Sequence, residues 1–165
     1  MKKVLFSSLA LLLLAGAGCS GSVRDKVAEK AIERSSGGKA QVDLGEGSMK
    51  VKTKDGTAEW GSNKLPADWA TDAPIYPGAS IQFSGSSNPT TGQPGAVAIL
   101  ETKDSNTQVL EYYKKELAAQ GWKIVANFET GTSATIAASK GDRNIGITSA
   151  TSEGKTVITV AVGKK

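Results

Sequence analysis

Histidine is absent from this 165-residue chain, cysteine occurs once, and the aromatics amount to three Trp, three Tyr and three Phe. Without histidine, the commonest general base near neutral pH and the commonest metal ligand are both missing. A Ser-His-Asp or Cys-His triad is excluded, as are zinc sites of the His₃ or Cys₂His₂ type. A single cysteine permits no internal disulfide. The length suits one domain, or one domain with an appendage.

What is present begins at the N-terminus. Lys2 and Lys3 precede an apolar run from Val4 to Ala15, broken only by Ser7 and Ser8. A run of about twelve residues falls short of the roughly 20 that a membrane-spanning helix needs, and residues 1–18 read as a secretory signal peptide. Small residues Gly16, Ala17 and Gly18 then lead into the lone Cys19. Gly16-Ala17-Gly18-Cys19 resembles the lipobox of bacterial lipoproteins, although Gly16 stands where that family prefers Leu. The resemblance implies cleavage before Cys19 and a thiol carrying diacylglycerol, with acyl chains of the palmitate class, in a cell envelope. Ser20 after the cysteine implies an outer membrane facing the periplasm rather than the inner one. Each buried CH₂ contributes about 0.8 kcal/mol, so several chains on one residue hold firmly. Removing Lys2 and Lys3 lowers the formal charge from +4 to +2. No nucleic-acid partner is expected from so slight a balance.

The mature chain divides by composition. Residues 19–73 hold few large apolar side chains and read as a lipid-anchored tether, whereas residues 74–165 read as the folded domain. Val23 to Arg34 patterns as a short helix with Val23, Val27, Ala31 and Ile32 on one stripe, closed by Ser35-Ser36-Gly37-Gly38. Three short runs come next, around Val42 and Leu44, Met49 and Val51, and Ala58 and Trp60. Turns at Gly45-Glu46-Gly47 and Lys54-Asp55-Gly56 make them a small β-meander. So thin a meander is marginal unless it rests on something else. Leu65 to Pro77 is an extended segment spaced by Pro66, Pro74 and Pro77. Two roles suit Trp60, Trp69 and Tyr76. They form a stacking platform for a sugar or planar ligand, or they pack this segment onto the domain, the commoner fate of such rings.

In the domain, Ile81 and Phe83 begin a strand, Ser84 to Gly95 reads as an exposed loop, and Ala96 to Thr102 as a central strand. Asp104 or Ser105 supplies an N-cap, and Val109, Leu110, Tyr113 and Leu117 make one helical stripe ending at Gly121. Four strands succeed it: Trp122-Ile124-Ala126-Phe128, Ala134-Ile136-Ala138, Ile145-Ile147 and Val157 to Val162. Turns about 11 residues apart make them an antiparallel meander. The fold class is therefore α+β: an antiparallel sheet with one helix packed on one face, in the order strand–strand–helix–four strands. The other face is left for a partner, a ligand or the first half of the chain.

Pro74-Ile75-Tyr76-Pro77-Gly78-Ala79, with Val109 to Leu117 closing on Gly121-Trp122, resembles a widespread set of uncharacterised bacterial lipoproteins. The resemblance spans about Pro74 to Val162. The architecture is also similar to the helix-on-sheet domains of the C lipoprotein of the outer-membrane β-barrel assembly machine. Neither family supplies catalytic residues, and fold alone does not imply function.

Apparent catalytic motifs do not hold up. Gly154-Lys155-Thr156 mimics the end of a phosphate loop, but Ser149 stands where a glycine is needed and a β-branched run comes after it. Ser36-Gly37-Gly38-Lys39 and Ser152-Glu153-Gly154-Lys155 match S-x-x-K in turns, without the companion K-T-G. Asp43/Glu46 and Asp104/Glu111 lack a setting that recommends acid–base work, and Lys54-Asp55-Gly56 has one acid where a calcium loop needs several. The reading is a non-enzymatic envelope lipoprotein without cofactor or metal. It serves as a protein-interaction or envelope-assembly accessory with a possible envelope protein partner. The alternative is a small-ligand or glycan binding module between sheet and helix.

Overall fold

The computed structural model describes residues 21–45, 47–87 and 95–164. The signal segment, Cys19 and positions 88–94 of the expected loop lie outside the described residues. In chain order the elements are α1 (Gly21–Ser35), β1 (Ala40–Gly45), β2 (Ser48–Thr53), β3 (Gly56–Trp60), β4 (Ser80–Ser87), β5 (Gly95–Thr102), α2 (Asn106–Ala119), β6 (Lys123–Glu129), β7 (Ser133–Lys140), β8 (Arg143–Ser152) and β9 (Lys155–Lys164). The strands form one antiparallel sheet in the order β1-β2-β3-β4-β5-β9-β8-β7-β6. The mixed α/β content, the early meander and the strand–strand–helix–four strands order agree with the sequence reading.

The meander does not lie on the face opposite α2. It extends the sheet edgewise, with β3 pairing β4 from Gly56↔Ser87 to Trp60↔Phe83. Backbone pairing supplies the support that its few apolar side chains do not.

Helix α2 is fixed at both ends by its own sequence. At the N-cap, Ser105 Oγ accepts from the Gln108 amide (3.3 Å) and Gln108 Oε1 accepts from the Ser105 amide (3.0 Å), a reciprocal capping box. At the other end Gly121 adopts φ +79°, which brings the Trp122 amide to Leu117 O (2.8 Å) and the Gly121 amide to Ala118 O (3.1 Å). This pair of bonds is a Schellman motif, and Leu117 and Trp122 meet in the core as such motifs favour. Val109, Leu110, Tyr113 and Leu117 are buried and pack over β6, β7 and β8. Burying each such side chain stabilises the fold by roughly 1.5–3 kcal/mol. The rest of the same face is roofed by the irregular segment 61–79. Its Ala73 and Tyr76 join the core of Leu100, Ile158 and Val160, with Trp69, Ala70 and Ile75 packed against it.

Three local expectations are corrected. Ser84 to Ser87 is not loop: these residues continue β4, from Ser84↔Ala98 to Ser87↔Gly95. Strands on both sides offer backbone partners there, and that pairing outweighs the poor strand propensity of Ser and Gly. In β6 the alternation breaks at a bulge between Ile124 and Ala126, so that Asn127 pairs Ile136 and Phe128 pairs Thr135. The extra residue reverses the facing of the rest of the strand, and Phe128 is left 66% exposed instead of entering the core.

The third correction concerns α1. Val27 and Ile32 are exposed, and Glu29 and Glu33 face the sheet instead. The amides of Leu44 and Val42 donate to Glu29 Oε1 (2.7 Å) and Glu33 Oε1 (3.2 Å). Four helical residues rise about 6 Å and two strand residues about 6.7 Å, so the two periods match. An edge strand otherwise presents a row of unpaired amides. Satisfying them with carboxylates decides which side of α1 turns inward.

Candidate binding surface

The three aromatic residues singled out from the sequence stand in different settings. Tyr76 is 7% exposed, with its ring 5.0 Å from Tyr112 and 6.3 Å from Tyr113. Its hydroxyl donates to Asp104 Oδ2 at 2.8 Å. Burial and the Asp104 carboxylate push the Tyr76 phenol up to about 12. Trp69 packs against the core and donates its indole N–H to Ala73 O at 3.0 Å. Trp60 is 40% exposed at the far side of β3, its ring 5.0 Å from Phe83. Among the described residues no ring contact joins these three to one another. Tyr76 and Trp69 pack segment 61–79 onto the sheet, the commoner of the two roles that suit such rings. Cys19 lies outside the described residues.

Segment 61–79 is also clasped by charge. Asp72 accepts from Arg143 through both carboxylate oxygens (2.8 and 2.6 Å) and from Lys140 Nζ (2.6 Å). Trp122 donates its indole N–H to the Asp72 main-chain carbonyl at 2.6 Å, and the Arg143 guanidinium lies 5.0 Å above the Trp122 ring. Arg143's hydrogen bonds hold the Asp72 carboxyl well below the usual carboxylate range against partial burial, and Lys140 adds to them. No local pattern announces this contact, because Asp72 is 68 and 71 residues from its partners. The i, i+4 spacing of Glu29 and Glu33 and the run around Val42 and Leu44 were both visible, but not that the one meets the other.

Between α2 and the sheet the described side chains pack closely. The space bounded by Val109, Leu110, Tyr113, Ala134, Ile136, Ile147 and Ser149 holds no water-sized volume. The Ser149 hydroxyl donates to Asn106 Oδ1 inside this layer, and burial pushes the Tyr113 phenol well above its ordinary range. This interior is packed core.

The opposite face is different. Register places Val97 and Ile99 of β5, Thr159 and Ala161 of β9, Gly146 and Thr148 of β8, and Thr135 and Ala137 of β7 side by side on it. Ala161, Gly146, Thr148 and Thr135 are exposed, and Val157 on the same face is 43% exposed. The side chains that these four strands place there are uncharged and mostly small, and the exposed Phe128 of β6 stands on the same face beside Thr135. Charge appears at its end, where Lys155 Nζ pairs Glu101 at 2.9 Å. A shallow groove of about 480 Å³, lined in part by Gly85, Val97, Gly146 and Ala161, opens onto this face. No group of Asp, Glu and Cys among the described residues could hold a metal ion, and no described helix is long and apolar enough to cross a membrane.

The described unit is thus an α+β helix-on-sheet domain with one filled face and one open face. A family model described as START domain-like matches residues 82–155, a little under half of the chain. The likeness suggests a ligand-binding module. The matched stretch runs from within β4 to the first residue of β9, so it stops before the strand that joins β5 to β8 in the sheet. No curated protein matches the chain.

Proposed function

We propose that the chain is a non-catalytic binding protein, held at a cell-envelope membrane through lipid on Cys19, that takes a protein partner on the open face of its sheet. The observation carrying this reading is the contrast between the two faces. Buried apolar side chains fill the space under α2, whereas β5, β9, β8 and β7 present uncharged surface on the other side. Ala161, Val157 and Phe128 add exposed apolar area to this uncharged face, and contiguous exposed apolar area marks interaction sites. A photo-crosslinking residue at Thr148 should yield a protein adduct in intact cells, and one at Glu111 on the solvent side of α2 should not. Equal yields from both positions, or none from Thr148, would overturn the reading. Cys19→Ser should release the protein from membranes, and retention there would overturn the lipid anchor.

The START domain-like match favours a second reading, a small apolar or glycan ligand. The groove beside Val97 and Ala161 offers space for one. Native mass spectrometry of protein purified from membranes distinguishes the two readings by the mass of the species that stays bound.

A further inference from the structure

Helix α1 carries its charges on opposite sides. At 100° per residue, Glu29 and Glu33 share the arc that turns to β1, where their carboxylates are bound to the Leu44 and Val42 amides. Val27, Lys30, Ala31 and Arg34 occupy the other arc, and all four are exposed, Val27 at 66%. Two acids are therefore withdrawn into the fold, while the cations and an unpartnered valine look outward. The helix also begins at Gly21, two residues after Cys19. Two residues span at most about 7 Å, so whatever holds Cys19 at a membrane brings the start of α1 to the same surface.

We infer that the outward arc of α1 lies on an anionic phospholipid surface, with Val27 and Ala31 at the headgroup boundary and Lys30 and Arg34 on the lipid phosphates. This deepens the membrane part of the proposed function and rests on it for the anchor. Short amphipathic helices with basic flanks bind interfaces in this way, and anionic lipid attracts each nearby cation. Because α1 is bonded along β1, such contact would set the sheet's orientation to the membrane and leave the β5–β7 part of the open face toward a partner.

The test uses the full acylated chain reconstituted in vesicles of phosphatidylcholine alone, or of phosphatidylcholine and phosphatidylglycerol in equal parts. Val27→Cys then offers the only free thiol, and an environment-sensitive dye on it reports depth. The expected result is a blue-shifted dye, quenched by brominated lipid, in the anionic vesicles. The same dye on Glu111→Cys should stay in water. Lys30→Gln with Arg34→Gln should lower the docked-to-undocked ratio by about fivefold for each cation removed. Flotation at about 1 M salt, where screening shortens to about 3 Å, reads the anchor alone. A chain that floats while its Val27 dye stays in water in both vesicles overturns the inference, including in favour of a protein partner on α1. A chain that does not float overturns the Cys19 reading instead.

Discussion

Asp72→Asn isolates the charge that clasps segment 61–79 to the β7–β8 hairpin. The substitution keeps shape and volume but removes the negative charge that Arg143 and Lys140 approach at 2.6–2.8 Å. Hydrogen bonds to a charged group contribute about 1.5–3 kcal/mol. The Asp72 side chain is 20% exposed and its partners 29% and 37%, so the freed cations can hydrate and solvent screening discounts the figure. We expect a loss of about 2 kcal/mol, or roughly 6–8 °C in Tm for a chain of this size. The main-chain carbonyl still accepts from Trp122, so the segment should loosen without leaving.

The pH dependence makes the prediction specific. Asp72's carboxyl lies below its ordinary 3.8 in the folded state, chiefly through Arg143's hydrogen bonds. Its contribution is therefore complete above the unfolded value and is lost as pH falls through the folded one. Thermal unfolding followed by circular dichroism should give the full gap between wild type and Asp72→Asn at pH 7. The gap should narrow from about pH 4 downward, since the variant has no charge to lose. A gap below about 0.5 kcal/mol at pH 7, or one that does not change down to pH 2, would refute the clasp.

Three further outcomes test the packing. Ile136→Ala should cost about 3 kcal/mol, whereas Phe128→Thr, beyond the bulge, should stay within about 0.5 kcal/mol; chemical denaturation separates them. Gly121→Ala meets only Lys140 Cε at 3.8 Å and should cost about 1 kcal/mol for its positive φ, but a Cβ on Gly61 would lie 2.2 Å from Gly47 O, so Gly61→Ala should cost more, as equilibrium unfolding would show. Tyr76 has its phenol raised from 10.0 to about 12, so it stabilises fully below pH 10 and less as pH rises through 12. Phenolate absorbance should therefore appear later in wild type than in the unfolded chain, and Tyr76→Phe should remove the part that titrates near pH 12 while leaving the still later titration of the more deeply buried Tyr113.

Much of the domain could be read from local signals. The stripe of α2, Ser105 and Gly121 act within a turn or two of chain, and turn spacing set the later strands. The features that escaped notice depended on partners far along the sequence. Ile81 and Phe83 announce the start of β4, but nothing in Ser84 to Ser87 announces its continuation, because the hydrogen bonds that extend it come from β3 and β5. Nothing near Phe128 announces a bulge, which is a property of pairing with β7. Tyr76 and Trp69 were legible as residues that pack the extended segment, but Trp60 was not separable from them, since Tyr76 meets Tyr112 and Trp60 meets Phe83 only after folding.

The same distinction bears on where binding occurs. A sequence with one amphipathic helix and several alternating strands implies a helix–sheet interface, and that interface is a natural place to look for a pocket. Small side chains on one face of a strand read as weak core, or as nothing. Only pairing brings Gly146 beside Ala161 and Thr148 beside Thr159, and turns scattered small residues into a continuous surface. Covering that surface with segment 61–79 was an available solution, since the segment is long enough and carries Trp69 and Tyr76. The chain instead commits both rings and the Asp72 clasp to the side already roofed by α2. Among the described residues α2 and segment 61–79 divide one face between them and no element lies over the other, an arrangement that suits a sheet with a face free to bind.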